Sequence, residues 1–198
     1  DLCGGRCWHP DRVLAYRCRV CDNALYFENS VCVSCGTALA YSREERAIVP
    51  LDAEGRYVDA AGLVWHVCAN LDLAGCTWLA RLEGGQCSGC DLVRTRPADD
   101  DATGLAWFRA ADAARRHLVA ELDGLGLPVV DKLADPEGGL AFDLLSSVEE
   151  DVVIGHENGV ITIDLAESDD AHREKVKARL AEPYRTMLGH FRHEVGHY

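Results

Sequence analysis

"CRVCDNALYFENSVCVSC", residues 18–35, contains two Cys-x-x-Cys pairs, Cys18 with Cys21 and Cys32 with Cys35, separated by ten residues. Each pair makes a tight turn that aims two thiolates at one ion, and the strand and turn between the pairs bring the second back to complete a tetrahedron. Gly36 follows Cys35, and Asp22 and Asn23 follow Cys21, residue types that accept the left-handed backbone such turns use. The spacing predicts a structural zinc. Iron held by four cysteines is the rival for the same pattern, and four buried, unmetallated thiols is the blander reading.

Working outward, a second set comprises Cys68, Cys76, Cys87 and Cys90. Its leading pair is spaced by seven residues rather than two, so a loop through Gly75 must fold back before "CSGC" (residues 87–90) can close the site. A second zinc is expected there. Cys3 and Cys7, with His9 close by, match neither set and have no assigned role. Shells of four thiolates leave no position for a substrate, so these zincs read as structural, offsetting the small core of a region poor in long helices.

Ten cysteines and one Met, with no leading apolar segment and no run near the roughly 18 residues of a membrane span, point to metal thiolates in a soluble, cytoplasmic protein rather than a secreted disulfide scaffold. The formal net charge is −13, and each zinc bound by four thiolates adds about −2 more. Nucleic-acid binding rests on Lys and Arg meeting phosphates, so general DNA or RNA binding is excluded as a leading function. Three arginines within residues 109–116 read as a solvated helix face.

Cysteine ends at Cys90, and longer periodic segments begin beyond "RTRPADDDATG" (residues 94–104), which places a boundary between a region 1–96 and a region 97–198. Asp99, Asp100 and Asp101 suit a helix start, and Leu105, Phe108, Leu118, Leu122 and Leu125 recur as one buried stripe of a helix ending around residues 124–128. "GLAFDLL" (139–145) and "DVVIGHENGVITIDL" (151–165) read as strands. Asn158-Gly159 forms a hairpin turn because both residues accept positive φ, which makes His156 an exposed turn residue. Ser168 can cap a helix running to about residue 181, with Pro183 opening the next. The fold class is therefore α+β.

"GHFRHEVGHY" (189–198) carries His-Glu-x-x-His at residues 193–197. Four residues apart on a helix, His193 and His197 project from one face and can share a zinc. Glu194 beside them can act as general base toward a zinc-activated water and then carry a proton to the leaving amine. His190 lies about 10 Å of helix from His197 at 1.5 Å per residue, too far to share the ion easily, so it reads as a residue behind the ligands or in the packing. Tyr198 reads as packing, with assistance to the transition state as the sharper alternative. No upstream residue presents itself as a third ligand.

Taken in order, "CRVCDNALYFENSVCVSC", "GLAFDLL", "GVITIDLAESDDAHRE" and "EPYRTMLGHFRHEVGHY" resemble the bacterial zinc-binding metallopeptidases that carry an N-terminal zinc-ribbon domain. The resemblance implies a zinc-ribbon region followed by the N-terminal part of a zincin-like peptidase domain. It also implies two structural zincs and one catalytic zinc, with His193 and His197 as ligands, Glu194 as base and a third ligand beyond residue 198. A peptide or protein is then the substrate, and the ribbons can engage a protein partner. By analogy with zincin-like folds, "VITIDL" (160–165) is the candidate edge strand for substrate. Little or no hydrolysis is expected of these 198 residues alone, and a non-catalytic zinc-ribbon binding or scaffold module is the alternative.

Overall fold

The computed structural model describes residues 16–147, 152–169, 173–174, 177–178 and 186–198. Cys3, Cys7, His9 and Pro183 lie outside the described residues, as does much of the helix expected over 169–181. The architecture is α+β, as expected. Small β-sheets carry the cysteines, and a four-stranded sheet packs against two longer helices.

The front region is built from three small sheets. A two-stranded ribbon joins β1 (Tyr16–Arg17) to β2 (Ala24–Leu25), and β3 (Leu39–Ser42) pairs with β4 (Ala47–Pro50). The third sheet contains β5 (Arg56–Val58), β6 (Val64–Val67) and β7 (Leu79–Ala80), with the single-turn helix α1 (Leu71–Ala74) between β6 and β7. Short strands bury few side chains each, so aromatic rings fill the space between the sheets. Tyr41 and Trp78 are both buried, with ring centroids 4.9 Å apart, and Phe27 packs edge-on to Tyr41 at the same separation.

The second region is organised around α2 (Ala102–Leu125). Asp101 caps it by accepting from the Gly104 N–H, and Gly126, in the left-handed conformation, ends it within the expected span. Phe108, Leu118 and Leu122 form the buried stripe the periodicity predicts, whereas Leu125 is exposed in the last turn. The arginines correct the sequence reading. Only Arg109 is solvated. Arg115 and Arg116 are buried and both pair with buried Asp112, because this helix is sandwiched between the cysteine-bearing sheets and the four-stranded sheet and has no free face at those positions.

That sheet runs β10-β11-β9-β8: β8 (Val93–Thr95), β9 (Ala141–Leu145) and β11 (Val160–Asp164) are parallel neighbours, and β10 (Gly155–Glu157) is antiparallel to β11. The hairpin turn is where the sequence puts it, with φ of 49° at Asn158 and 78° at Gly159. Gly159 is required for a second reason: a Cβ there would lie 2.4 Å from the Gly139 carbonyl oxygen. "VITIDL" is not an edge, however. β11 has a strand on each side, so its backbone groups are already paired, and β10 is the outer strand. The Asn-Gly turn folds residues 155–157 back over the side that an isolated reading of 160–165 leaves open.

The last helix, α3 (Met187–Val195), starts at Thr186, whose hydroxyl accepts from the Gly189 N–H at 3.0 Å. It packs on the sheet through Phe191, edge-on to Phe142 with centroids 5.6 Å apart, and on α2 through a bidentate Arg192–Glu121 pair. One buried core runs from Cys18 to Phe191 and includes cysteines of both sets. No helix among the described residues is long and apolar enough to cross a membrane.

Candidate metal centres

The structure brings Cys18, Cys21, Cys32 and Cys35 together, and separately Cys68, Cys76, Cys87 and Cys90, with the sulfurs of each set within 4.8 Å of one another. In the first set the Cys18–Cys35 and Cys21–Cys32 Sγ separations are 3.7 and 3.6 Å. In the second, Cys68–Cys90 and Cys76–Cys87 are both 3.7 Å. A tetrahedron with Zn–S bonds near 2.3 Å has sulfur–sulfur edges of about 3.8 Å, so both sets fit zinc.

Local backbone makes the first site. After each Cys-x-x-Cys the chain turns through one left-handed residue, Asp22 (φ 59°) or Gly36 (φ 73°), and the N–H of that residue donates to the carbonyl of the first cysteine at 2.8 Å. The second site needs a longer return. α1 and left-handed Gly75 carry the chain from Cys68 round to Cys76. At the other end, Gly89 lies so close to Trp78 that a Cβ would sit 2.7 Å from the ring. The backbone N–H groups of Asn70 and Cys87 lie 3.5 and 3.3 Å from Cys68 Sγ, and that of Cys90 3.4 Å from Cys87 Sγ.

The thiols' chemistry points the same way. The Thr37 hydroxyl and N–H pull the Cys35 thiol down to about 6. In the buried set, hydrogen bonds from Cys76 and the other sulfurs push Cys68 well below the ordinary thiol range, while the same contacts push Cys76 and Cys87 well above it. Four sulfurs this close cannot all ionise against one another, and a divalent cation at the centre removes that conflict. No described cysteine is in a disulfide.

At the other end of the molecule, His193 lies in the last turn of α3, and His197 just beyond it, in a turn closed by its N–H on the Glu194 carbonyl. The two rings approach edge to face with centroids 5.2 Å apart. Glu194 is buried on the same side, and its Oε2 lies 3.2 Å from Nδ1 of His156. His190 turns instead to buried Glu167, with Nε2 and Oε2 3.3 Å apart. Tyr198 is half exposed and, with His156 and His197, lines a cavity of about 480 Å³ walled on its far side by Asp135, Glu137 and Gly138. Among the described residues, only the two cysteine sets bring three or more ligand atoms within 4.8 Å of one another; this end offers two imidazoles with Glu194 beside them.

His156 is exposed, as the sequence reading has it, but its partners were not foreseen. It sits in β10, not in the turn, and its ring stacks on that of His197 with centroids 4.3 Å apart and an interplanar angle of 5°. The signal was present. A two-residue Asn-Gly turn sets His156 opposite Ile161, and Ile161 belongs to the buried alternation, so His156 must share its face.

Comparison with known proteins gives matches for both regions. Residues 104–198 match the family described as "Putative zinc-binding metallo-peptidase", and residues 15–101 match a zinc-ribbon domain. These matches bear out the resemblance read from the residues: a match to a zinc-ribbon domain precedes a match to the zinc-binding metallopeptidase family. Uncharacterized proteins of Mycobacterium bovis (strain ATCC BAA-935 / AF2122/97) and of Mycobacterium tuberculosis (strains CDC 1551 / Oshkosh and ATCC 25618 / H37Rv) are each 50% identical over 185 residues, 92% of this chain and 52% of theirs. The chain thus spans about half the length of these curated relatives. No solved structure matches it.

Proposed function

We propose that this chain is the zinc-ribbon and active-site-helix portion of a zinc-dependent peptidase, with two structural zincs on the cysteine sets and one catalytic zinc held by His193 and His197. The observation that carries the reading is the placement of buried Glu194 beside two imidazoles whose rings are 5.2 Å apart. Zinc, when bound there, supplies Lewis-acid polarisation of the scissile carbonyl and a lower pKa for water. Glu194 accepts the proton of the attacking water and delivers it to the leaving amine nitrogen, while its burial keeps bulk water from competing. A third ligand is expected from residues following 198, and hydrolysis is assigned to the longer form.

Among the described residues, the strand at the edge on this side of the sheet is β10, which also carries His156. Substrate pairing is therefore assigned to residues 155–157. Eight unpaired thiols among the described residues fit a reducing, cytoplasmic setting.

Glu194→Gln in the longer form tests the mechanism. Peptide hydrolysis should fall by about 10²–10⁴-fold with zinc content unchanged, and full turnover would remove Glu194 from the chemistry. One observation supports a binding role alongside catalysis: Val20, Tyr26 and Val33 project into solvent around the first cysteine set, an apolar tip suited to a protein partner.

A further inference from the structure

We infer that His156 is a positioning residue of the histidine metal centre, acting on Glu194 and His197 through two separable contacts. This rests on the peptidase reading of His193, Glu194 and His197. The first contact is polar: an ionised carboxylate can only accept, so Nδ1–H of His156 donates to Glu194 Oε2 at 3.2 Å and holds one carboxylate oxygen in place. The second is a ring platform, because the parallel stack at 4.3 Å restrains the rotation of His197, whose residue lies beyond the last turn of α3 and has no helix to hold it.

The fold leaves His156 no other face. It pairs with Ile161 across the β10–β11 ladder, and Ile161 lines up with Phe142 across β11–β9. Phe142 meets Phe191 of α3, so the row Phe142–Ile161–His156 runs along the helix-packed side of the sheet and ends at the histidines. A slip of one residue would bring Gly155 or Glu157 to this side instead. His156 also lines both cavities that flank the hairpin, of about 840 and 480 Å³, so the ring that fixes Glu194 stands on the wall of the cleft itself.

Because the contacts are chemically distinct, two substitutions divide them. His156→Asn keeps a donor near the position of Nδ1 and loses the ring, whereas His156→Phe keeps the ring and loses the donor. Zinc affinity of the histidine site, by chelator competition with both cysteine sets loaded, and kcat and KM are all read in the longer form, which supplies the third ligand. His156→Ala should weaken zinc affinity and lower kcat by about tenfold each, with KM little changed. Phe should recover the affinity and leave kcat low, while Asn should recover kcat and leave the affinity low. Three variants indistinguishable from a zinc-binding wild type, or losses equal in Asn, Phe and Ala, overturn this inference alone. A wild type that takes up no zinc at His193 and His197 overturns it together with the peptidase reading.

Discussion

The two cysteine sets use the same ligands and nearly the same sulfur spacing, yet they occupy opposite situations. In the first, Cys21 and Cys35 are exposed while Cys18 and Cys32 are buried at the margin of the core, where Tyr16 and Phe27 pack on Tyr41. In the second, all four cysteines are buried. Gly89, between Cys87 and Cys90, accepts a 2.6 Å hydrogen bond from Nη1 of buried Arg115 on α2, whose guanidinium also lies 5.6 Å from the centroid of the Phe142 ring. The first site organises a knuckle on the surface. The second joins the cysteine-bearing region to the region built on α2 and the four-stranded sheet, and the positive Arg115 beside its thiolates offsets part of their negative charge. Identical coordination chemistry thus has consequences set by what surrounds it.

The strongest way to break this contrast is Cys87→Ser. Structural zinc contributes on the order of 10–16 kcal/mol of apparent binding energy to small metal-dependent folds. Loss of the second ion should therefore cost one zinc per chain and abolish the hydrogen-exchange protection of α2 and α3 as well as the local strands. Protection persisting in α3 would show that the two regions fold independently.

Arg115→Ala sharpens the same point without touching a ligand. Asp112 keeps Arg116 as a partner but loses Arg115, so the cost is that of lost charge-assisted hydrogen bonds, about 1.5–3 kcal/mol, rather than of an uncompensated charge. Urea unfolding should register that loss with both ribbon zincs still bound at native pH. A change within about 0.5 kcal/mol, the range of ordinary surface substitutions, would mean the guanidinium is not holding the junction.

The smallest effect belongs to Cys35→Ser. The first zinc should be lost, with exchange rising over residues 16–37. The main unfolding midpoint should move by no more than about 4 °C, the shift of a 1 kcal/mol change in a chain of this size. A collapse as large as that of Cys87→Ser would erase the distinction between the sites.

How much of this was legible in the sequence depended on whether the signal was local. Cys18, Cys21, Cys32 and Cys35 could be grouped from spacing because the turns that aim them involve neighbouring residues, and the φ values at Asp22 and Gly36 are those turns. The Asn158-Gly159 turn and the capped start of α2 were readable for the same reason. Arg115 and Arg116 were misjudged because their helix presents the same pattern whether its second face meets water or another sheet. Nothing in "VITIDL" separates an edge strand from an interior one, because alternation reports which face is buried and says nothing about how many strands lie beside it. His156 fell between these cases: the turn rule placed it opposite Ile161, but its partners come from a helix about 40 residues further on.

By itself, then, the sequence determined the chemistry available: two thiolate sets, a His-Glu-x-x-His helix, a hairpin and a long capped helix, all specified by residues close together in the chain. Tertiary structure alone decided which cysteine set lies wholly inside the shared core, which strand is left at the edge and which histidine meets Glu194. Those outcomes depend on contacts between residues far apart in the chain, where burial and the pairing of charges, rather than local backbone preference, choose the arrangement.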